Sequence, residues 1–133
     1  MALITSAQTG NFNQTTTWTG GVIPGVGDEA RASDTHTITI TANTTCDELS
    51  NAGTGTFILN GGVTLNANLT HKSATNSTVV LTFSANSPNV STINGNILGA
   101  TNTGLTANHQ VRTLDLTGTG TLNINGNISG GIS

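Results

Sequence analysis

A pattern of strand, corner and strand recurs in this sequence and decides its fold class. Residues 118–128 read Gly-Thr-Gly-Thr-Leu-Asn-Ile-Asn-Gly-Asn-Ile, residues 53–63 read Gly-Thr-Gly-Thr-Phe-Ile-Leu-Asn-Gly-Gly-Val, and residues 90–97 read Val-Ser-Thr-Ile-Asn-Gly-Asn-Ile. Asn and Gly tolerate the left-handed backbone that tight corners require. The three predicted corners are therefore Asn60-Gly61, Asn94-Gly95 and Asn125-Gly126.

An Asn-Gly corner between two strands fits two architectures. In a hairpin it reverses the chain and gives an antiparallel meander, sandwich or barrel. In a β-solenoid, or β-helix, it turns the chain so that each coil stacks on the previous one. Recurrence favours the solenoid, because a unit that cannot bury its own apolar face must stack on a neighbour. The irregular gaps of 34 and 31 residues between the Asn-Gly pairs keep an antiparallel β-sandwich as the alternative, with residues 98–110 as a predicted excursion.

The composition predicts an all-β chain. Its 133 residues include 27 Thr, 17 Asn and 17 Gly; Thr fits half-buried strands, whereas Asn and Gly form tight turns. The clearest strand is residues 35–41, Thr-His-Thr-Ile-Thr-Ile-Thr, where polar and apolar residues alternate. Charged residues are 7% of the chain, compared with roughly 25% in a typical domain. So few charges protect strand edges poorly, and we expect capping or oligomerisation.

The few charges also limit the partners. Three widely separated basic residues cannot neutralise a row of phosphates, so no nucleic-acid partner is predicted. No apolar run approaches the roughly 20 residues that span a bilayer, and no membrane partner is predicted. Residues 1–4 lack the charged leader of a secretory signal, so we expect synthesis in the cytoplasm. Cys46 is the single cysteine and is expected to be a small buried residue.

No constellation in the sequence predicts catalysis, a cofactor or a metal site. The adjacent carboxylates Asp28-Glu29 and Asp47-Glu48 are expected to point to opposite faces of a strand, unlike the convergent pair of a glycosidase. Asp34 and His36 form a triad only with an arbitrary choice among ten serines. The histidines lack the close ligand pair typical of metal sites; they are His36, His71 and His109.

Runs of Thr-x-Thr raise one binding hypothesis. They begin at Thr15, Thr35, Thr54 and Thr117. Stacked on a flat face, such runs resemble the ice-binding surface of hyperactive antifreeze proteins, although threonine also fills the outward positions of ordinary strands. The starts lie about 20, 19 and 63 residues apart, so we do not expect them to stack one per coil.

Three stretches near the N-terminus form a distinctive series. Residues 4–12 read Ile-Thr-Ser-Ala-Gln-Thr-Gly-Asn-Phe, residues 17–28 read Thr-Trp-Thr-Gly-Gly-Val-Ile-Pro-Gly-Val-Gly-Asp, and residues 36–40 read His-Thr-Ile-Thr-Ile. They resemble the opening of tailed-bacteriophage virion proteins and of some large bacterial surface proteins. This sequence differs in carrying Phe12 where Trp is commoner, and Glu29-Ala30-Arg31 where small apolar residues usually follow.

The resemblance implies a division into an N-terminal cap or attachment segment, residues 1–34, and a repetitive β domain, residues 35–133. In the cap, Phe12 and Trp18 are expected to close the apolar end of a stack, and Pro24 and Asp28 to shield an open edge. The resemblance also implies a non-enzymatic virion structural protein, a homotrimer that contacts other capsid or tail proteins. A receptor-binding or adhesin module of a tail fibre or bacterial surface is the alternative.

Overall fold

The computed structural model describes residues 1–33, 35–51, 54–71, 80–84, 90–98, 113–117 and 120–129. Asp34, His109, the predicted excursion from residue 99 onward, and residues 130–133 lie outside these ranges. The described part of the chain is all-β, as predicted, with two 3₁₀ turns at Thr15–Thr17 and Thr19–Gly21 and no α-helix. Its strands are β1 (Leu3–Thr5), β2 (Gly10–Asn11), β3 (Glu29–Ala32), β4 (Thr37–Ile40), β5 (Thr44–Asn51), β6 (Thr56–Leu59), β7 (Thr64–His71), β8 (Val80–Ser84), β9 (Val90–Asn94), β10 (Ile97–Leu98), β11 (Thr113–Thr117), β12 (Thr121–Ile124) and β13 (Ile128–Ser129).

Paired strands run parallel and come from different passes of the chain. Ile38 of β4 pairs with Phe57 of β6, for example, and Ile93 of β9 with Ile124 of β12. All the strand pairs in the described part of the chain are parallel, unlike those of the antiparallel alternative. Strands next to each other along the chain, such as β9 and β10, pair with different neighbours. The Asn94-Gly95 pair between them therefore does not form a hairpin.

Three columns of parallel strands follow one another along the chain. The first contains β1, β3, the second half of β5, the second half of β7, β10 and β13. The second contains β2, β4 and β6, with β8 and β11 paired to each other beside β6. The third contains the first halves of β5 and β7, then β9 and β12. A register shift between Thr45 and Glu48 marks the change of column within β5.

The core lies on the inner side of these columns because apolar residues alternate with polar ones in each strand. Pairs of large apolar side chains stack from strand to strand and are fully buried, namely Ile38 with Phe57, Ile40 with Leu59, Leu49 with Leu69, and Leu65 with Ile93. Burying each such side chain contributes about 1.5–3 kcal/mol. β1 and β3, from the predicted N-terminal segment, belong to the same sheet as β5 and β7; the domain boundary at residue 34 stays a prediction.

Candidate functional site

Two aromatic residues, Phe12 and Trp18, lie together at the first edge of the sheets, and we call them the aromatic cap. Their rings make an edge-to-face contact with centroids 5.0 Å apart, and each side chain is 2% exposed. Trp18 Nε1–H donates to the Phe12 carbonyl oxygen at 2.7 Å. The indole therefore buries its ring without leaving its single donor unpaired.

A single antiparallel bridge fixes the aromatic cap against β1. Successive N–H groups of a strand point to opposite sides, and here Ser6 N–H donates to Arg31 of β3 while Ala7 N–H donates to Thr17 on the other side. Ser6 and Trp18 form the antiparallel bridge. The cap segment thus covers the side of β1 that faces away from the rest of the sheet.

Pro24 and Asp28 belong to a tight turn next to this cap. Pro24 is buried, and the Gly25 N–H donates to Asp28 Oδ2 at 3.0 Å while the Asp28 N–H returns to the Gly25 carbonyl at 3.0 Å. The Asp28 carbonyl accepts the N–H groups of Asp47 and Glu48 at 3.0 and 3.3 Å. The side chain of Asp28 orders its own turn, and its main chain joins that turn to the next pass of the chain.

A row of side-chain amides crosses the outside of the third column, and we call it the first asparagine ladder. Asn125 Nδ2 donates to Asn94 Oδ1 at 2.9 Å, and Asn94 Nδ2 donates to Asn66 Oδ1 at 2.8 Å. Asn66 Nδ2 donates to Thr45 Oγ1 at 3.1 Å. Each amide uses both its donor and its acceptor along the same direction, so every pass of the chain is hydrogen-bonded to the one before it.

A second asparagine ladder, formed by Asn68, Asn96 and Asn127, lies two residues further along the chain. Here side chains bond to main chain: the Asn96 N–H donates to Asn68 Oδ1, and the Asn127 N–H to Asn96 Oδ1, both at 2.9 Å. The amide oxygens satisfy the N–H groups that the corner would otherwise leave without partners. Both ladders are uncharged, so salt should screen them little.

Small residues occupy the corner between the two ladders, and we call Ala67, Gly95 and Gly126 the corner column. A Cβ atom on Gly95 would overlap the Ala67 carbonyl, and one on Gly126 would overlap the Gly95 carbonyl. Glycine is thus required at these two positions by the close approach of main chain to main chain. None of the three has a φ in the left-handed region, so the reason differs from the backbone freedom expected from the sequence.

The Asn60-Gly61 pair lies at a different corner, between β6 and β7. The Asn60 N–H donates to the Ile40 carbonyl at 3.0 Å, and the Asn60 carbonyl accepts the Ser91 hydroxyl at 2.8 Å. The left-handed backbone of this corner occurs at Gly62, with φ 78°. The three sequence-equivalent Asn-Gly pairs are therefore two stacked corners and one separate corner. The position that precedes Asn94-Gly95 in the stack is Asn66-Ala67, which the Asn-Gly pattern does not reveal.

Two of the Thr-x-Thr runs stack, contrary to the expectation from their spacing. Thr37 of β4 lies beside Thr56 of β6, with 3.2 Å between their Oγ1 atoms. The Thr35 N–H donates to Thr54 Oγ1 at 3.2 Å, and the Thr37 N–H to Thr9 Oγ1 at 3.0 Å. The expectation was wrong because these two passes of the chain are 19 residues long, the same as the spacing between the two runs.

The titratable side chains of the first column form hydrogen-bonded groups that stabilise the strands. Glu29 Oε1 binds Arg31 Nη2 at 2.7 Å and accepts the Ser50 hydroxyl at 2.6 Å. Glu29 also pairs in register with Glu48, a proximity that comparison of neighbours within one strand does not reveal. Across the described ranges, no three His, Cys, Asp or Glu residues come together as a metal site.

Ser6 and His36 are hydrogen-bonded, which is the nearest approach to the triad considered from the sequence. Ser6 Oγ lies 2.8 Å from His36 Nδ1 and also accepts the Ser33 N–H at 2.8 Å. The serine is 4% exposed. Its hydroxyl therefore joins β1 to the loop after β3. Asp34 lies outside the described residues.

Cys46 is buried at the register shift of β5, as expected for a lone cysteine, and its thiol donates to the Glu48 carbonyl at 3.7 Å. Burial, and to a lesser degree the nearby charge of Asp47, raises the pKa of the Cys46 thiol from its ordinary value of 9.0 to about 12. The thiol is therefore protonated at neutral pH, which makes it a poor nucleophile.

Comparisons with known proteins leave this arrangement without a relative. No family model, no curated protein and no solved structure matches the chain. Among the described residues, no helix is long and apolar enough to cross a membrane. The candidate functional features are thus the aromatic cap, the two asparagine ladders and the corner column, all of which are structural.

Proposed function

We propose that the three columns of strands are the faces of a β-solenoid. The chain visits the columns in the same order on each pass: β3, β4 and the first half of β5, then the second half of β5, β6 and the first half of β7. Parallel pairing between passes and apolar residues stacked on the inner side are both properties of this architecture. The unequal passes, 19 residues between Ile38 and Phe57 and 31 between Ile93 and Ile124, are accommodated where the chain leaves the columns.

We propose that the protein is a non-enzymatic structural subunit of a tailed-phage virion, which decorates the capsid or forms part of a fibre. The observation that carries this proposal is the continuity of the two asparagine ladders across successive passes. They give the chain a regular, uncharged outer surface tied together by hydrogen bonds, which suits a rigid building block. The resemblance of the first 40 residues to virion proteins supplies the particle.

The N-terminal segment is the proposed attachment site on other virion proteins. Val22 is 55% exposed and Val26 is 84% exposed, although both flank the buried Pro24. Apolar side chains held out on an ordered turn are typical of a contact surface. We further propose a homotrimer, which the resemblance implies, assembled in the host cytoplasm.

The test is to locate the chain on purified particles by mass spectrometry and electron microscopy. We expect a stoichiometric particle component with its N-terminal segment against the capsid or tail. A matched pair of variants, Val26→Lys and Thr121→Lys, places a charge on the attachment turn or on an exposed strand residue far along the chain. Only Val26→Lys should abolish incorporation. Absence of the chain from particles, together with specific binding to cells or glycans, would replace the proposal by the receptor-binding alternative.

A further inference from the structure

The last edge of the sheets differs from every interior strand. In the described part of the chain, β12 pairs only with β9, and β13 pairs only with β10. Leu122 and Ile124 point inward but are half-buried, whereas their interior counterpart Ile93 is fully buried. Ile128 is 63% exposed. The surface that receives a further strand everywhere else in the structure is open here.

This edge also lacks the features that prevent strand pairing. Proteins protect edge strands with charged residues, prolines or bulges. Residues 120–129 contain no charged residue and no proline, and β12 pairs with β9 in unbroken register from Thr121 to Ile124. The amides of Asn125 and Asn127 stand last in the two asparagine ladders, so their Oδ1 atoms face the position of a next strand. The edge thus continues the same interface that joins one pass of the chain to the next.

We propose that this open edge pairs with the same edge of a second copy of the chain. The sequence of β12 and the following residue alternates outward and inward as Thr121, Leu122, Asn123, Ile124 and Asn125. About a twofold axis at Asn123, an antiparallel pair places Leu122 of one copy opposite Ile124 of the other, and Thr121 opposite Asn125. Apolar residues then face apolar residues and polar residues face polar ones, as a twofold interface requires.

A second copy satisfies the edge better than addition of the opposite end of the protein would. The first edge is covered by the aromatic cap and its antiparallel bridge to Ser6, so head-to-tail stacking finds no matching strand there. The edge contact does not depend on the proposed virion role, and it is separate from the lateral contact of a homotrimer. Whatever the number of lateral subunits, its loss halves the mass of the assembly.

The test is the mass in solution, measured by light scattering, of the wild-type chain and of Asn123→Lys. The substitution sets two ammonium groups opposite each other across the twofold axis, and like charges directly opposite destabilise a strand pair. We expect the mass to fall by half with an unchanged circular dichroism spectrum. The matched control is Thr92→Lys, which carries the same charge at the paired position of β9, one strand inside the edge, and should leave the mass unchanged.

Charge complementation distinguishes pairing of the edge from damage to the fold. Asn123→Glu alone should also halve the mass, and an equimolar mixture of Asn123→Lys and Asn123→Glu should restore the full mass at low salt. Equal masses for wild type and Asn123→Lys would overturn the proposal, as would an equal loss with Thr92→Lys or a mixture that stays at half mass. Long filaments of the wild type would overturn the twofold geometry in favour of head-to-tail addition.

Discussion

The two edges of the sheets are built on opposite principles. At the first edge, the aromatic cap and an antiparallel bridge cover β1, and Phe12 and Trp18 are almost fully buried. At the last edge, β12 keeps the same register as the strands before it and leaves Leu122 and Ile124 half-buried. A parallel stack can be extended wherever its register is intact, and only a change of strand direction stops it. The chain therefore has one edge that terminates pairing and one that invites it.

The largest expected effect comes from removing the closure of the first edge. Trp18→Ala deletes a buried ring, leaves a cavity against Phe12 and removes the donor to the Phe12 carbonyl. We expect a loss of about 3–5 kcal/mol in the free energy of unfolding, measured by chemical denaturation. The exposed Val22→Ala is the control and should change it by about 0.5 kcal/mol or less. Similar small changes for both would mean that the cap does not close the edge.

Next in size is the corner column, which runs between the two edges. Gly95→Ala pushes a methyl group into the Ala67 carbonyl, so we expect a loss of about 1–3 kcal/mol. Gly126→Ala makes the same overlap with Gly95, but on the last pass, where the strand can shift outward. We expect it to cost clearly less. Gly25→Ala, where the new atom comes no closer than 3.9 Å to Asp28 Oδ2, is the matched control; equal losses at Gly95 and Gly126 would show that the last edge is as constrained as the interior.

A pH-dependent effect of intermediate size is expected from Cys46, which lies on the pass next to the closed edge. Its folded-state pKa of about 12 lies above the ordinary value of 9.0. The stabilising contribution of the protonated thiol is therefore fully present below pH 9 and is lost as the pH rises toward 12. Between pH 8 and pH 10, wild type should lose about 1 kcal/mol more stability than Cys46→Ala, since one pKa unit is worth about 1.4 kcal/mol. Parallel pH profiles for the two proteins would contradict the burial of the thiol.

The smallest effect separates the ends of the first asparagine ladder. Asn94 makes two ladder bonds, to Asn66 and from Asn125, whereas Asn125 makes one. Both side chains are exposed, so we expect Asn94→Ala to cost about 1 kcal/mol and Asn125→Ala about half of that. The exposed Asn13→Ala serves as the baseline for replacing a surface asparagine. A reversed order, with Asn125→Ala the costlier change, would argue against a ladder that simply ends at the last pass.

Alternation and composition were sufficient to predict the strand class. Residues 37–40 alternate polar and apolar side chains and form β4, with Ile38 and Ile40 buried. The sequence could not give the register, because strands pair across passes of unequal length. Aligning the Asn-Gly pairs by their letters joined Asn60 to Asn94, whereas the structure stacks Asn66 beneath Asn94.

The ladder residues could have been found from a slightly different pattern. Asn66-Ala67-Asn68, Asn94-Gly95-Asn96 and Asn125-Gly126-Asn127 all share an Asn-small-Asn triplet. The triplet describes the physical requirement better than Asn-Gly does, because the flanking amides form the hydrogen bonds and the central residue only has to be small. The pairing of Glu29 with Glu48 had no such local signal, since it depends on register alone.

The hydrogen-bonded register also separates two dimensions in which such a molecule can grow. Adjacent strands lie about 4.8 Å apart, so every pass adds the same increment of height whether it contains 19 residues, as from Ile38 to Phe57, or 31, as from Ile93 to Ile124. Extra residues within a pass widen the molecule sideways and leave its height unchanged. Insertions at the corners would then alter what the flank presents to its surroundings, while whole passes alone would set how far the protein reaches.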